Sequence, residues 1–183
     1  MNNGESVLSF SVRKLALMAV LTAVSLIVFI IEAQIPLPVP VPGAKLGLSN
    51  AVTLFALFLG CQGDGSVVNR TVPLTTGNVL MILLARIILG AVFTGRVVAF
   101  IYSITGGILA FAAMAVMRKF VTNKQIWACG AVGAVFHNIG QICAAMVITG
   151  TPAIAAYLPV LIIVGVITGV ITGLTAQLTV SRI

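Results

Sequence analysis

The residues in this sequence that could do chemistry are few, and most of them are set in apolar surroundings. Arg86 lies in the middle of VLMILLARIILGAVF (79–93). An arginine at the centre of a membrane helix costs about 2.5–3.5 kcal/mol on insertion scales, so it needs a partner or a ligand. Glu32, which follows the first apolar run, is the acidic residue nearest the apolar regions. Two readings of Arg86 are open. It pairs with Glu32 or with helix-end carbonyls and locks the fold, or it faces a polar cavity and binds an anionic or carbonyl-bearing ligand. His137, Asn138 and Gln141 stand together in a second apolar run, at spacings that place them on one sector of a helix. Such a patch lines a cavity or joins helices by hydrogen bonds. Lys45 and Asn50 sit where a proline-rich segment gives way to the next apolar run. Lys45 either adds a second positive charge over a pocket or snorkels to headgroups. Asn50 either caps the helix that follows, with Ser49, or hydrogen-bonds a ligand alongside Asn138 and Gln141.

This inventory describes binding rather than catalysis. With three acidic residues in the chain, there is no paired-carboxylate arrangement, no serine-histidine-aspartate set and no phosphate-binding glycine loop. A single histidine and scarce acidic ligands argue against a metal site, and no cofactor is expected. Cys61, Cys129 and Cys143 are far apart and odd in number, which reads as packing thiols.

The elements that must hold these residues are membrane helices. Charged residues are 7 % of the chain, hydrophobic ones 60 %, and the mean hydropathy is +1.22. A soluble domain carries about 25 % charged residues. The net charge of +7 does not indicate nucleic acid, because the basic residues cluster at the ends of apolar runs, where they set topology and meet anionic lipid. The expected fold is an all-α integral membrane protein, one compact domain over 1–183 with about six helices near 13–33, 48–60, 79–95, 97–117, 125–149 and 153–178. Residues 1–12 read as a polar lead, and the first helix as retained rather than cleaved. The second run is short against the roughly 20 residues needed to cross a bilayer.

Between the first two runs lies EAQIPLPVPVPGAKLGLSN (32–50), whose alternating prolines forbid helix and read as a stiff extended strap covering a pocket. Gly43 and Gly47 let it turn back. Gly165, Gly169 and Gly173, four apart, form a ridge for close helix packing, and Ala19 and Ala23 are a smaller pair of the same kind. With six helices, Arg13, Lys14, Arg70, Arg118, Lys119, Lys124 and Arg182 fall on one side and Lys45 and Arg96 on the other. That bias places both termini in the cytoplasm and the strap outside.

Several stretches resemble one family closely. IPLPVPVPGAKLGLSNAVTLFAL, ARIILGAVF, AVFHNIGQ and YLPVLIIVGVITGVITGL are similar to the Gx transporter family, often labelled heptaprenyl diphosphate synthase component I. The order of elements also resembles the substrate-binding S components of energy-coupling-factor transporters. The resemblance implies an S-component-like bundle in a bacterial plasma membrane. Its pocket would lie under the first outer loop and take a small molecule with an anionic or polar head, of vitamin or cofactor-precursor type. It implies that Ala19 and Ala23 meet a transmembrane coupling subunit served by ATPases. The polar loop at 61–78 is longer than the turn the resemblance implies. A non-catalytic accessory subunit of an isoprenoid, quinone or flavin-linked redox pathway is the competing expectation, since aspartate-rich magnesium motifs for prenyl transfer are lacking.

Overall fold

The computed structural model describes residues 3–35, 45–60 and 74–182, with side chains from Val12 onward. The proline strap (36–44) and most of the polar loop (61–73) lie outside the described residues. The helices are α1 (Asn3–Glu32), α2 (Asn50–Gly60), α3 (Thr76–Thr94), α4 (Val97–Met117), α5 (Ile126–Thr149) and α6 (Leu158–Val180). Five are long and apolar enough to cross a membrane, and α2 is not. At about 1.5 Å per residue, its 11 residues span about 16 Å, roughly half a bilayer core.

Several boundaries differ from expectation for clear reasons. The α1 helix begins at Asn3, well before the apolar span that starts at Val12. Hydropathy marks where a helix enters lipid, whereas its backbone hydrogen bonds continue through polar residues. The last helix starts at Leu158 rather than near Ala153, because Pro159 must sit in a first turn, where no N–H is needed. Residues Pro152–Tyr157 form a 3₁₀ turn instead.

The distribution of side chains is inside-out relative to a soluble protein. Val92, Val147, Ile163, Ile171 and Leu178 are exposed, whereas Ser25, Glu32, Ser49, Asn50, Arg86, Ser103, His137, Asn138 and Gln141 are buried. Lipid accepts the first group, and only the bundle interior can satisfy the second. Cys129 is buried, but Cys143 is exposed on the outer surface and packs no core.

The α4, α5 and α6 helices form a tightly packed layer, and α2 threads between it and α1 and α3. Glycine makes the layer possible. A Cβ at Gly130 of α5 would stand 2.5 Å from the Gly169 carbonyl of α6, and one at Gly173 would stand 2.6 Å from the Trp127 Cα. A Cβ at Gly140 would stand 2.8 Å from the Gly106 Cα of α4. Backbone therefore lies on backbone, as small-residue ridges allow in the absence of a hydrophobic drive between helices.

Candidate functional site

The α2 helix begins inside the bundle, and the site is built around its start. Gly47 has φ +82°, a left-handed turn that L residues rarely adopt, and it faces His137, which lies midway along α5. A Cβ at Gly47 would stand 2.8 Å from His137 Cδ2, and one at Gly106, near the middle of α4, would stand 2.8 Å from His137 Nδ1. The imidazole is thus held between two bare backbones. The turn that starts α2 therefore lies beside the middle of α5.

A helix start exposes N–H groups that its own backbone cannot satisfy. Ser49 and Asn50 were expected to cap this one locally. Instead Glu32, at the end of α1, supplies the cap across the bundle. Its carboxylate accepts from the backbone N–H of Gly47, from Leu48 N at 3.1 Å and from Ser49 N at 3.4 Å. The negative charge sits at the positive end of α2, which the helix dipole favours. Both amide atoms of the Asn50 side chain are buried without a hydrogen-bond partner among the described residues, so Asn50 makes no cap bond.

Arg86, midway along α3, is 1 % exposed. Its Nη1 donates to Ser49 Oγ at 2.6 Å, and Ser25 Oγ donates to Ser49 O at 3.4 Å. Ser49 therefore joins the arginine to the Glu32 cap, rather than a direct pairing of Arg86 with Glu32. Arg86 Nε and Nη2 have no hydrogen-bond partner among the described residues.

The Lys45 side chain is turned onto the Phe29 ring. Its Nζ is buried without a hydrogen-bond partner among the described residues and lies 3.0 Å from the Phe29 ring centroid. Arg86 Cζ lies 5.6 Å from the same centroid. Two cations thus share one aromatic ring; each ring contact is favourable when desolvated, while the two charges repel each other. Burial pushes the Lys45 ammonium down to about 8, against the opposing pull of Glu32. The Lys45 backbone is fixed by Gln141, whose Oε1 accepts from Lys45 N at 2.8 Å while its Nε2 donates to Lys45 O at 2.9 Å. This two-way clasp makes Gln141 a surrogate β-strand partner for the end of the strap.

Of the candidate residues, Glu32, Lys45, Asn50, Arg86, His137 and Gln141 surround the start of α2. Asn138 faces away from it, donating Nδ2 to Leu161 O of α6 at 2.6 Å across the space that Gly165 leaves. Ala19 and Ala23 lie on the exposed face of α1, apart from the site. Phe29, Ser25 and the Gly106-Gly107 pair are site residues that sequence reasoning missed. A phenylalanine in an apolar run carries no signal of its own. Gly47 and Ser49 were visible, as a turn and as a cap, but their distant partners were not.

Fold and site define a helical membrane protein with a half-helix starting in mid-bundle and a buried, charged centre at its start. The chain belongs to the family described as heptaprenyl diphosphate synthase component I, whose family model matches residues 21–179. No match is found among curated proteins or among solved structures.

Proposed function

We propose that the chain is the substrate-binding membrane subunit of a small-molecule importer, energised by partner ATPase and coupling subunits. The observation that carries this reading is the pair of buried cations, Lys45 and Arg86, whose donors are only partly used. A purely structural arginine would be expected to spend its N–H groups on the fold, because unsatisfied buried donors are costly. Half-helices that begin at mid-membrane depth are a recurrent way for carriers to present backbone dipoles to a solute. The small-residue face of Ala16, Ala19 and Ala23 on α1 is exposed and would suit close approach of a coupling subunit.

The experiment is mass spectrometry of the gently purified protein, looking for a small molecule released on denaturation. A stoichiometric compound is expected from the native chain and none from Arg86→Ala, with the variant still folded. Loss of the folded protein on Arg86→Ala, with no compound in the native chain, would overturn the reading.

The family description favours a second reading, a non-catalytic subunit of an isoprenoid-linked complex. Chain elongation would then fall to partner subunits, since the three acidic residues of this chain cannot form the magnesium-binding clusters that a diphosphate requires. Co-purification with a prenyl synthase, without a retained small molecule, would favour it.

A further inference from the structure

The Arg86 guanidinium is committed on one side only. Nη1 is bound to Ser49 Oγ. Nε and Nη2 are both buried and unpartnered among the described residues. These two groups form one edge of the guanidinium, with N–H bonds that point the same way. That edge matches the two oxygens of a carboxylate in a bidentate pair. The bare backbone of Gly107 lies beside it, between Nη2 and the side-chain ends of Ile87 and Leu83: a Cβ added there would stand 3.6 Å from Nη2 and 3.2 Å from Ile87 Cδ1. Lys45 Nζ shares the Phe29 ring with Arg86 and is likewise without a hydrogen-bond partner among the described residues.

The charges at the centre are unequal. Lys45 and Arg86 are positive, and Glu32 is negative with its oxygens already taken by the N–H groups at the start of α2. One positive charge is left over in a low-dielectric interior, where imbalance is expensive.

We propose that the Nε/Nη2 edge of Arg86 receives one carboxylate of the ligand, with the Lys45 side chain as second contact, and that the site prefers monocarboxylates to phosphate esters and diphosphates. This rests on the binding reading above and gives it a chemical class. A carboxylate brings the four charges to balance. A phosphate monoester, at about −1.5 to −2, overshoots, and a diphosphate overshoots further.

The test uses the full-length protein in lipid nanodiscs and probes that differ only in the head group. These are geranate, geranyl phosphate and geranyl diphosphate, together with 4-phenylbutanoate against 4-phenylbutyl phosphate. Binding is read by thermal shift and titration calorimetry, and any co-purifying molecule is identified by mass spectrometry. The expected result is that a carboxylate binds at least about tenfold more tightly than its phosphate counterpart, or that the co-purifying molecule is a monocarboxylate. Arg86→Lys keeps the charge but loses the paired edge, and should weaken carboxylate binding about ten- to hundredfold. If Arg86→Lys does not fold, Gly107→Ala is the second variant. Its methyl would meet Ile87 Cδ1 at 3.2 Å, the end of a flexible side chain, while narrowing the space beside Nη2 with all charges kept. Equal or tighter binding of a phosphate or diphosphate would overturn the inference and leave the binding reading standing, as would unchanged carboxylate affinity in the variant. No binding by any probe and no co-purifying molecule would remove the binding reading itself.

Discussion

Glu32→Gln tests the arrangement on which the whole site depends. The carboxylate accepts three backbone N–H groups, from Gly47, Leu48 and Ser49. A hydrogen bond to a charged group is worth about 1.5–3 kcal/mol against about 0.5–1.5 for a neutral one, so neutralising the acceptor costs about 1 kcal/mol per bond. The amide also turns an –NH₂ toward donors. In addition, Lys45 and Arg86 lose their counter-charge, and breaking a buried ion arrangement typically costs about 3–5 kcal/mol. These contributions overlap, and about 3–5 kcal/mol is the expected total. For a chain of this size, about 2–4 °C per kcal/mol converts that to a fall in Tm of about 6–20 °C. The assay is thermal unfolding in nanodiscs at a fixed scan rate, followed by the fluorescence of Trp127, the single tryptophan. Glu32→Gln combined with Arg86→Met should lose less than the sum of the two single variants, because the second change removes the charge that the first leaves unpaired. A fall below about 2 °C in the single variant, or strict additivity in the double, would refute the reasoning.

Two further expectations follow from the strap end of the site. The Lys45 pKa is near 8 in the folded protein and 10.5 ordinarily, so between those values the unfolded chain binds more protons. Stability should therefore rise with pH across that window, while affinity for an anion, which needs the charged ammonium, should fall above about pH 8. Lys45→Arg should flatten both profiles, and profiles identical to the native ones would contradict the assignment. Gln141→Leu removes both partners of the Lys45 backbone, each buried group left unsatisfied costing about 1–3 kcal/mol. The Lys45 amide should then exchange hydrogen much faster, and unchanged exchange at that amide would show that the clasp does not hold the strap end.

Much of the centre was legible because burying charge in lipid is costly. Arg86, Glu32, Lys45, His137 and Gln141 stand out against apolar neighbours for that reason alone. Their roles were less legible. Asn138 shares a helical sector with Gln141, yet it reaches across to α6, because the presence of Gly165 opens that direction. The spacing that pairs residues on a helix face says nothing about which neighbouring helix each will meet. Phe29 was invisible, since its function comes from two cations brought to it from other segments.

Composition and hydropathy by themselves determined that this is an α-helical membrane protein with long apolar spans, one short helix and glycine-paved contacts. These are local properties, set by how many consecutive side chains tolerate lipid and by which positions carry no Cβ. Only the tertiary structure decided that the short helix starts in mid-bundle, that its cap comes from Glu32 of α1, and that Ser49 links this cap to Arg86. The reason is physical. A buried donor or charge must be satisfied, but any acceptor within reach will serve. Which one is in reach depends on how closely the helices approach, and that is fixed only when the bundle packs.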